Sequence, residues 1–137
     1  MITADQLVAH AVGDYILQSD WMANEKTKRS LAALVHALTY SLPFLLFRPS
    51  LRAFVFIAAT HFIIDRWRLA RFVCYAKNFF APPQTYKPCF AEWWFHWEDC
   101  AATGYHKDRP AWMSVWLLII ADNTMHVICN GIALMYL

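Results

Sequence analysis

Glycine and charge are both scarce in this chain: its 137 residues hold 3 glycines, and 16% of them are charged. So few glycines leave no glycine-rich loop to cradle a phosphate, which removes the common nucleotide-binding motifs. The formal net charge of +2 is too small for the electrostatic footprint of a nucleic-acid-binding protein, and no nucleic-acid partner is expected. Neither serine nor cysteine stands in a recognisable nucleophile arrangement. The first residues, Met1 to Gln6, carry no basic leader, and Asp5, His10 and Asp14 interrupt the stretch where a signal peptide needs an apolar run, so no cleaved leader is expected. Low-complexity tracts are also missing.

Apolar residues are abundant, and they come in blocks. Hydrophobic residues make up 59% of the chain and aromatics 17%, with a mean hydropathy of +0.30, which is too apolar for an ordinary soluble domain of this size. Charged residues separate the blocks, as they do between bilayer-embedded helices. The expected fold is therefore all-α: a polytopic membrane protein, one domain over 1–137, with about four transmembrane or membrane-embedded helices. These fall at about 3–18, 30–47, 51–72 and 111–137. The first is short and amphipathic, with Gln6, His10, Asp14 and Gln18 on one drifting polar stripe. Ser30 is a candidate cap for the second, and Pro43 should kink it. The fourth carries Asp122, Asn123, His126 and Asn130 on its polar side.

The connection 73–110 differs from the rest. Pro82, Pro83 and Pro88 break it up, and the run Glu92 to Cys100 contains Trp93, Trp94 and Trp97. Indole and phenol rings favour the boundary between acyl chains and headgroups, so a short helix lying on the membrane surface is expected there. If all four segments span, Lys26, Lys28, Arg29, Arg66, Arg68, Arg71, Lys77, Lys87, Lys107 and Arg109 share one side, against Arg48 and Arg52 on the other. The positive-inside rule then predicts a multi-pass protein of a bacterial inner membrane or host cell membrane with both termini outside.

Three of the four apolar segments carry histidine and aspartate four residues apart: His10 with Asp14, His61 with Asp65, and Asp122 with His126. Four residues are just over one helical turn, so each pair projects from one face. Imidazole and carboxylate among leucines and phenylalanines are costly unless paired or metal-bound, and their recurrence points to one shared site. These six residues are the expected metal ligands, for one or two divalent ions (zinc, manganese, iron or magnesium). His36, the ionisable residue of the second segment, is either a further ligand or a general acid/base, and Gln18 is placed beside it in catalysis. Lys26, Lys28, Arg66 and Arg68 stand where lipid phosphates sit, although anchoring helix ends would explain them equally well.

The run His10-Ala-Val-Gly-Asp14-Tyr-Ile-Leu-Gln18-Ser-Asp-Trp21-Met-Ala-Asn-Glu-Lys26, then His36, His61-Phe-Ile-Ile-Asp65 and Asp122-Asn-Thr-Met-His126, resembles a small membrane-protein family of bacteria and phages, domain-of-unknown-function family 3307. The resemblance covers nearly the whole chain, and the His-x-x-x-Asp-x-x-Leu-Gln start is its specific part. The chain is also distantly similar to membrane-bound metal-dependent hydrolases, an analogy of motif that implies hydrolytic metal chemistry at short transmembrane helices. The segment Pro82 to Cys100 departs from the family pattern.

These readings converge on a membrane-embedded metal-dependent hydrolase acting on a lipid or lipid-linked phosphate or ester near the cytoplasmic headgroups, with membrane lipids as partners and a homodimer left open. The alternative is a non-enzymatic membrane protein whose His/Asp cluster is a structural metal site, a proton relay or a helix-association element. Cys74, Cys89 and Cys100 should be reduced, and the spacings of Cys89, His96, Cys100 and His106 fit no common zinc template.

Overall fold

The computed structural model describes residues 3–80 and 97–137. Regular structure among them is helical, with one isolated bridge between Cys100 and His106. The elements are α1 (Ala4–Ala11), a π-helical turn (Val12–Ile16), α2 (Asp20–Glu25), α3 (Ser30–Ser41), a 3₁₀ extension (Leu42–Phe47), α4 (Leu51–Trp67), α5 (Ala70–Phe79), a 3₁₀ turn (Trp97–Asp99) and α6 (Ala111–Tyr136). The expected all-α class is the one found. Residues 81–96, and with them Pro82, Pro83, Lys87, Pro88, Cys89, Trp93, Trp94, His96 and most of the expected surface helix, lie outside the described residues.

Local chemistry sets the boundaries. Thr3 accepts from the Gln6 N–H to start α1, Ser19 from Met22 to start α2, and Ser50 from Ala53 to start α4. Ser30, the expected cap of α3, is instead its first helical residue, and its hydroxyl accepts from Arg66 Nε at 3.2 Å. Pro43 has no N–H to continue the ladder, and the helix tightens into 3₁₀ geometry from Leu42 to Phe47. The third segment, expected to run to Phe72, ends at Trp67 because Arg68 adopts the left-handed conformation at φ 49°. The first segment likewise breaks at Ala11 into the π turn. Of the four expected membrane segments, two are thus long and apolar enough to cross a membrane: Ser30–Phe47 and Ala111–Tyr136.

The chain forms two compact units, 1–68 with 123–137, and 69–122. In the first, α3 packs along α4, and α1 with its π turn packs on α3 and its 3₁₀ extension. The apolar core is Ala9, Tyr40, Phe44, Ala53, Ile57 and Ala133. Alanines at several of these positions, with Ala32, Ala33 and Ala37, let the backbones approach closely. Gly13 carries this furthest, since a Cβ built on it would lie 2.6 Å from Tyr40 Cδ2 and 2.7 Å from the Tyr40 carbonyl oxygen. Ser50 Oγ donates to the Leu137 carbonyl, tying the chain's last residue to the start of α4.

This unit buries polar side chains beside its apolar core and leaves large apolar ones exposed. Gln6, His10, Asp14, His36, His61, Asp65, His126 and Asn130 are buried, while Leu31, Leu34, Leu38, Leu42 and Leu45 form an exposed stripe along α3 and its extension. An exposed apolar band of this kind marks a contact surface.

In the second unit, Trp97 stacks on Phe72 with ring centroids 5.4 Å apart, Arg71 lies over both rings, and Lys77 lies over Tyr105. Gly104, at φ +77°, lets the 97–110 segment pass against α5, where Asn78 donates to its carbonyl. Burial pushes the Cys100 thiol up to about 11, with Asp99 adding to the effect, and burial also raises that of Cys74. Both thiols are held protonated, which suits packing rather than nucleophilic chemistry.

Candidate metal centre

Asp14 reaches the interior because of the π turn. Its i→i+5 geometry, closed by Leu17 N–H donating to the Val12 carbonyl at 3.0 Å, inserts one residue into the helix between Ala11 and Gln18. The carboxylate then faces His36 on α3 and His61 on α4. Asp65 follows one turn after His61, and the Lys26 side chain enters from the end of α2.

Four atoms converge: Asp14 Oδ1, His36 Nε2, His61 Nε2 and Asp65 Oδ2, all within 4.8 Å of one another and all on buried residues. His36 Nε2 lies 2.9 Å from His61 Nε2, 3.1 Å from Asp65 Oδ2 and 3.2 Å from Asp14 Oδ1. His61 Nε2 lies 3.2 Å from Asp65 Oδ2 and 3.5 Å from Asp14 Oδ1. A tetrahedral ion with bonds of ~2.0–2.1 Å has ligand atoms ~3.3–3.4 Å apart, and these separations bracket that value. Hydrogen bonding alone does not account for the crowding. An imidazole nitrogen has one lone pair or one proton, yet Lys26 Nζ also stands 3.2 Å from His36 Nε2, giving that single nitrogen four polar neighbours. A cation at the centre uses one lone pair from each ligand and relieves the conflict. The other ring nitrogens of His36 and His61 make no hydrogen bond among the described residues, so the polar interactions of both rings concentrate at Nε2.

Around the four lies a layer that orients them. Asp14 Oδ2 is 3.5 Å from His10 Nδ1, and Asp65 Oδ1 is 3.3 Å from His126 Nε2, so each carboxylate turns its second oxygen to another histidine. His10 is further held by the Tyr40 hydroxyl at 2.8 Å and by Asn123 Oδ1 at 3.0 Å. Asn130 donates to the Tyr40 hydroxyl at 2.6 Å, and the Tyr40 ring stacks on His61 with centroids 3.6 Å apart. Gln6 donates to the Val127 carbonyl in the same region.

A family model described as "Protein of unknown function (DUF3307)" matches residues 2–136. The chain belongs to that family. Among curated proteins and among solved structures nothing matches.

In this DUF3307 protein, the expected ligands Asp14, His61 and Asp65 stand together with His36, which the sequence offered as either ligand or acid/base. His10 and His126, also expected as ligands, lie at the other carboxylate oxygens, His10 Nδ1 3.5 Å from Asp14 Oδ2 and His126 Nε2 3.3 Å from Asp65 Oδ1. Asp122 sits half-buried on α6, one turn ahead of His126. Gln18 accepts from Lys26 Nζ at 2.7 Å, and Lys26 pairs with Asp65 Oδ2 at 2.9 Å, so these two expected site residues reach the cluster together. The remaining expected substrate-binding cations make contacts of another kind: Lys28 pairs with Glu25, Arg66 donates to the Thr27 carbonyl and to Ser30, and Arg68 closes α4. Tyr40 escaped the sequence reading, although its place one turn after His36 was a usable signal.

Proposed function

We propose that this protein is a membrane-embedded divalent-metal protein that hydrolyses a phosphate or ester of a lipid or lipid-linked molecule at the headgroup boundary. The observation that carries the reading is the convergence of Asp14 Oδ1, His61 Nε2 and Asp65 Oδ2 on His36 Nε2 at 2.9–3.2 Å, a spacing that a shared cation would satisfy. Asp14, His36, His61 and Asp65 would hold the ion. Two nitrogens and two oxygens suit zinc, manganese or iron better than magnesium, which prefers an all-oxygen shell. An ion that takes a further position beyond these four ligands would supply Lewis acidity and activate a bound water at neutral pH, whereas a four-coordinate ion would be closed and structural. Lys26 and Gln18 flank the cluster at its more open side, the Lys26 side chain being 19% exposed against 3% for Asp65. They are the groups positioned to grip an anionic substrate.

The membrane assignment rests on the buried polar interior and the exposed leucines of α3. In this reading all four segments cross the bilayer, those of α1 with its π turn and of α4 being shorter than the two apolar spans, with both termini outside and Lys26 on the cytoplasmic side. Reporter fusions at the C-terminus test the orientation, and a cytoplasmic C-terminus would overturn it. Purified protein assayed with lipid phosphates and esters, before and after chelation, tests the chemistry. Metal-dependent release of phosphate or acid is expected; loaded protein inert toward every such substrate would sink the enzyme assignment.

One observation favours a second, non-enzymatic reading. Lys26 already sets a positive charge against Asp65, so a lysine-neutralised polar network could join α1, α3 and α4 without any ion. Metal content separates the two.

A further inference from the structure

Lys26 and a metal ion make competing demands on the same atoms. The ammonium lies 3.2 Å from His36 Nε2, 2.9 Å from Asp65 Oδ2 and 2.7 Å from Gln18 Oε1. A carboxylate oxygen has lone pairs for two partners, but His36 Nε2 has one. A proton donated by Lys26 to that nitrogen and a metal bond from it therefore exclude each other. Charge points the same way, because a divalent ion among the four ligand atoms would sit beside the ammonium in a poorly solvated site, where like charges repel strongly. Lys26 also has somewhere to go. It enters from the end of the short helix α2, its side chain is the least buried of the groups at the cluster, and Gln18 already holds it from outside the set of four.

We propose that Lys26 is an exchangeable internal cation: it neutralises Asp65 and caps His36 Nε2 when no ion is bound, and divalent metal displaces it from these two groups while Gln18 keeps hold of it. This rests on the metal-centre reading above and adds to it a coupling. Metal loading is what frees Lys26 to meet an anionic ligand, so the ion and the substrate-gripping lysine become available together.

The test is a zinc titration of the full-length protein in detergent against a chromophoric chelator, with wild type beside Lys26→Met and Lys26→Gln, each checked for folding by its melting transition. Exchange predicts that both variants bind zinc at least tenfold more tightly than wild type, because the competing cation is gone. A lysine that merely braces the cluster predicts the reverse, since its loss would loosen the ligands. Equal or weaker zinc binding in both variants, with wild type still binding, overturns the exchange and leaves the metal centre standing. Absence of zinc binding in all three proteins, each folded, overturns the metal centre and the exchange with it. Lys26→Gln keeps a polar group beside Gln18, so the comparison survives if Lys26→Met fails to fold.

Discussion

His36 Nε2 and Asp65 Oδ2 meet the most neighbours in the cluster, and single-atom changes there have the clearest consequences. Asp65→Asn keeps the shape but removes the charge that His126 and Lys26 share and that the proposed metal would use; metal binding should fall by at least a hundredfold, read by equilibrium dialysis. Tyr40→Phe keeps the stack on His61 but deletes the hydroxyl that joins His10 to Asn130. Leaving those two buried groups short of a partner should cost about 1–3 kcal/mol, seen as a lower melting temperature in detergent. An unchanged Tyr40→Phe protein would show that the hydroxyl contributes nothing to holding His10. At this scale the sequence was informative where spacing carried the message. His61 and Asp65 lie one turn apart on a regular helix, so their shared face follows from number alone. His10 looked the same by that criterion, but its two nitrogens go to Tyr40 and Asn123, partners on other helices that no spacing rule reveals.

At the scale of elements, the π turn and the α1–α3 contact decide whether Asp14 faces the cluster. Gly13 is the residue that permits the approach, and Gly13→Ala would drive a methyl group into the Tyr40 ring and backbone. The expected destabilisation is about 1–3 kcal/mol, and because α1 must move away from Tyr40, metal affinity should drop as well. A Gly13→Ala protein with wild-type melting and wild-type metal binding would contradict this packing. Element boundaries were only partly legible. Pro43 announced a tightening, whereas the stop at Arg68 depends on a left-handed backbone at a non-glycine residue, and the π turn leaves no mark in hydrophobic periodicity. Helix α2 went unforeseen for the same reason, being only Asp20–Glu25 in length. Its position is nonetheless what brings Lys26 to Asp65.

For the whole molecule, the question is whether the leucine stripe of α3 meets lipid. If it does, Leu38→Lys introduces a charge into hydrocarbon at about 2.5–3.5 kcal/mol near a helix centre, and the protein should be lost from the membrane fraction or degraded. A Leu38→Lys protein recovered at wild-type level from the soluble fraction, alongside soluble wild type, would mean that the stripe faces water or another protein. Composition disclosed the helical class and the apolar blocks because both are sums over many residues. Two of the four expected segments, Ser30–Phe47 and Ala111–Tyr136, are long and apolar enough to cross a membrane, while α1 and α4 end at local backbone events that composition does not register. The central claim is narrower than any of these: Asp14, His36, His61 and Asp65 hold a divalent ion. Elemental analysis of detergent-purified protein, with wild type beside His61→Ala and Asp65→Ala, tests it most directly. The account predicts near-stoichiometric metal per chain in wild type and loss of that metal in both variants; folded wild type that carries no metal and takes up none of added zinc, manganese or iron would contradict it.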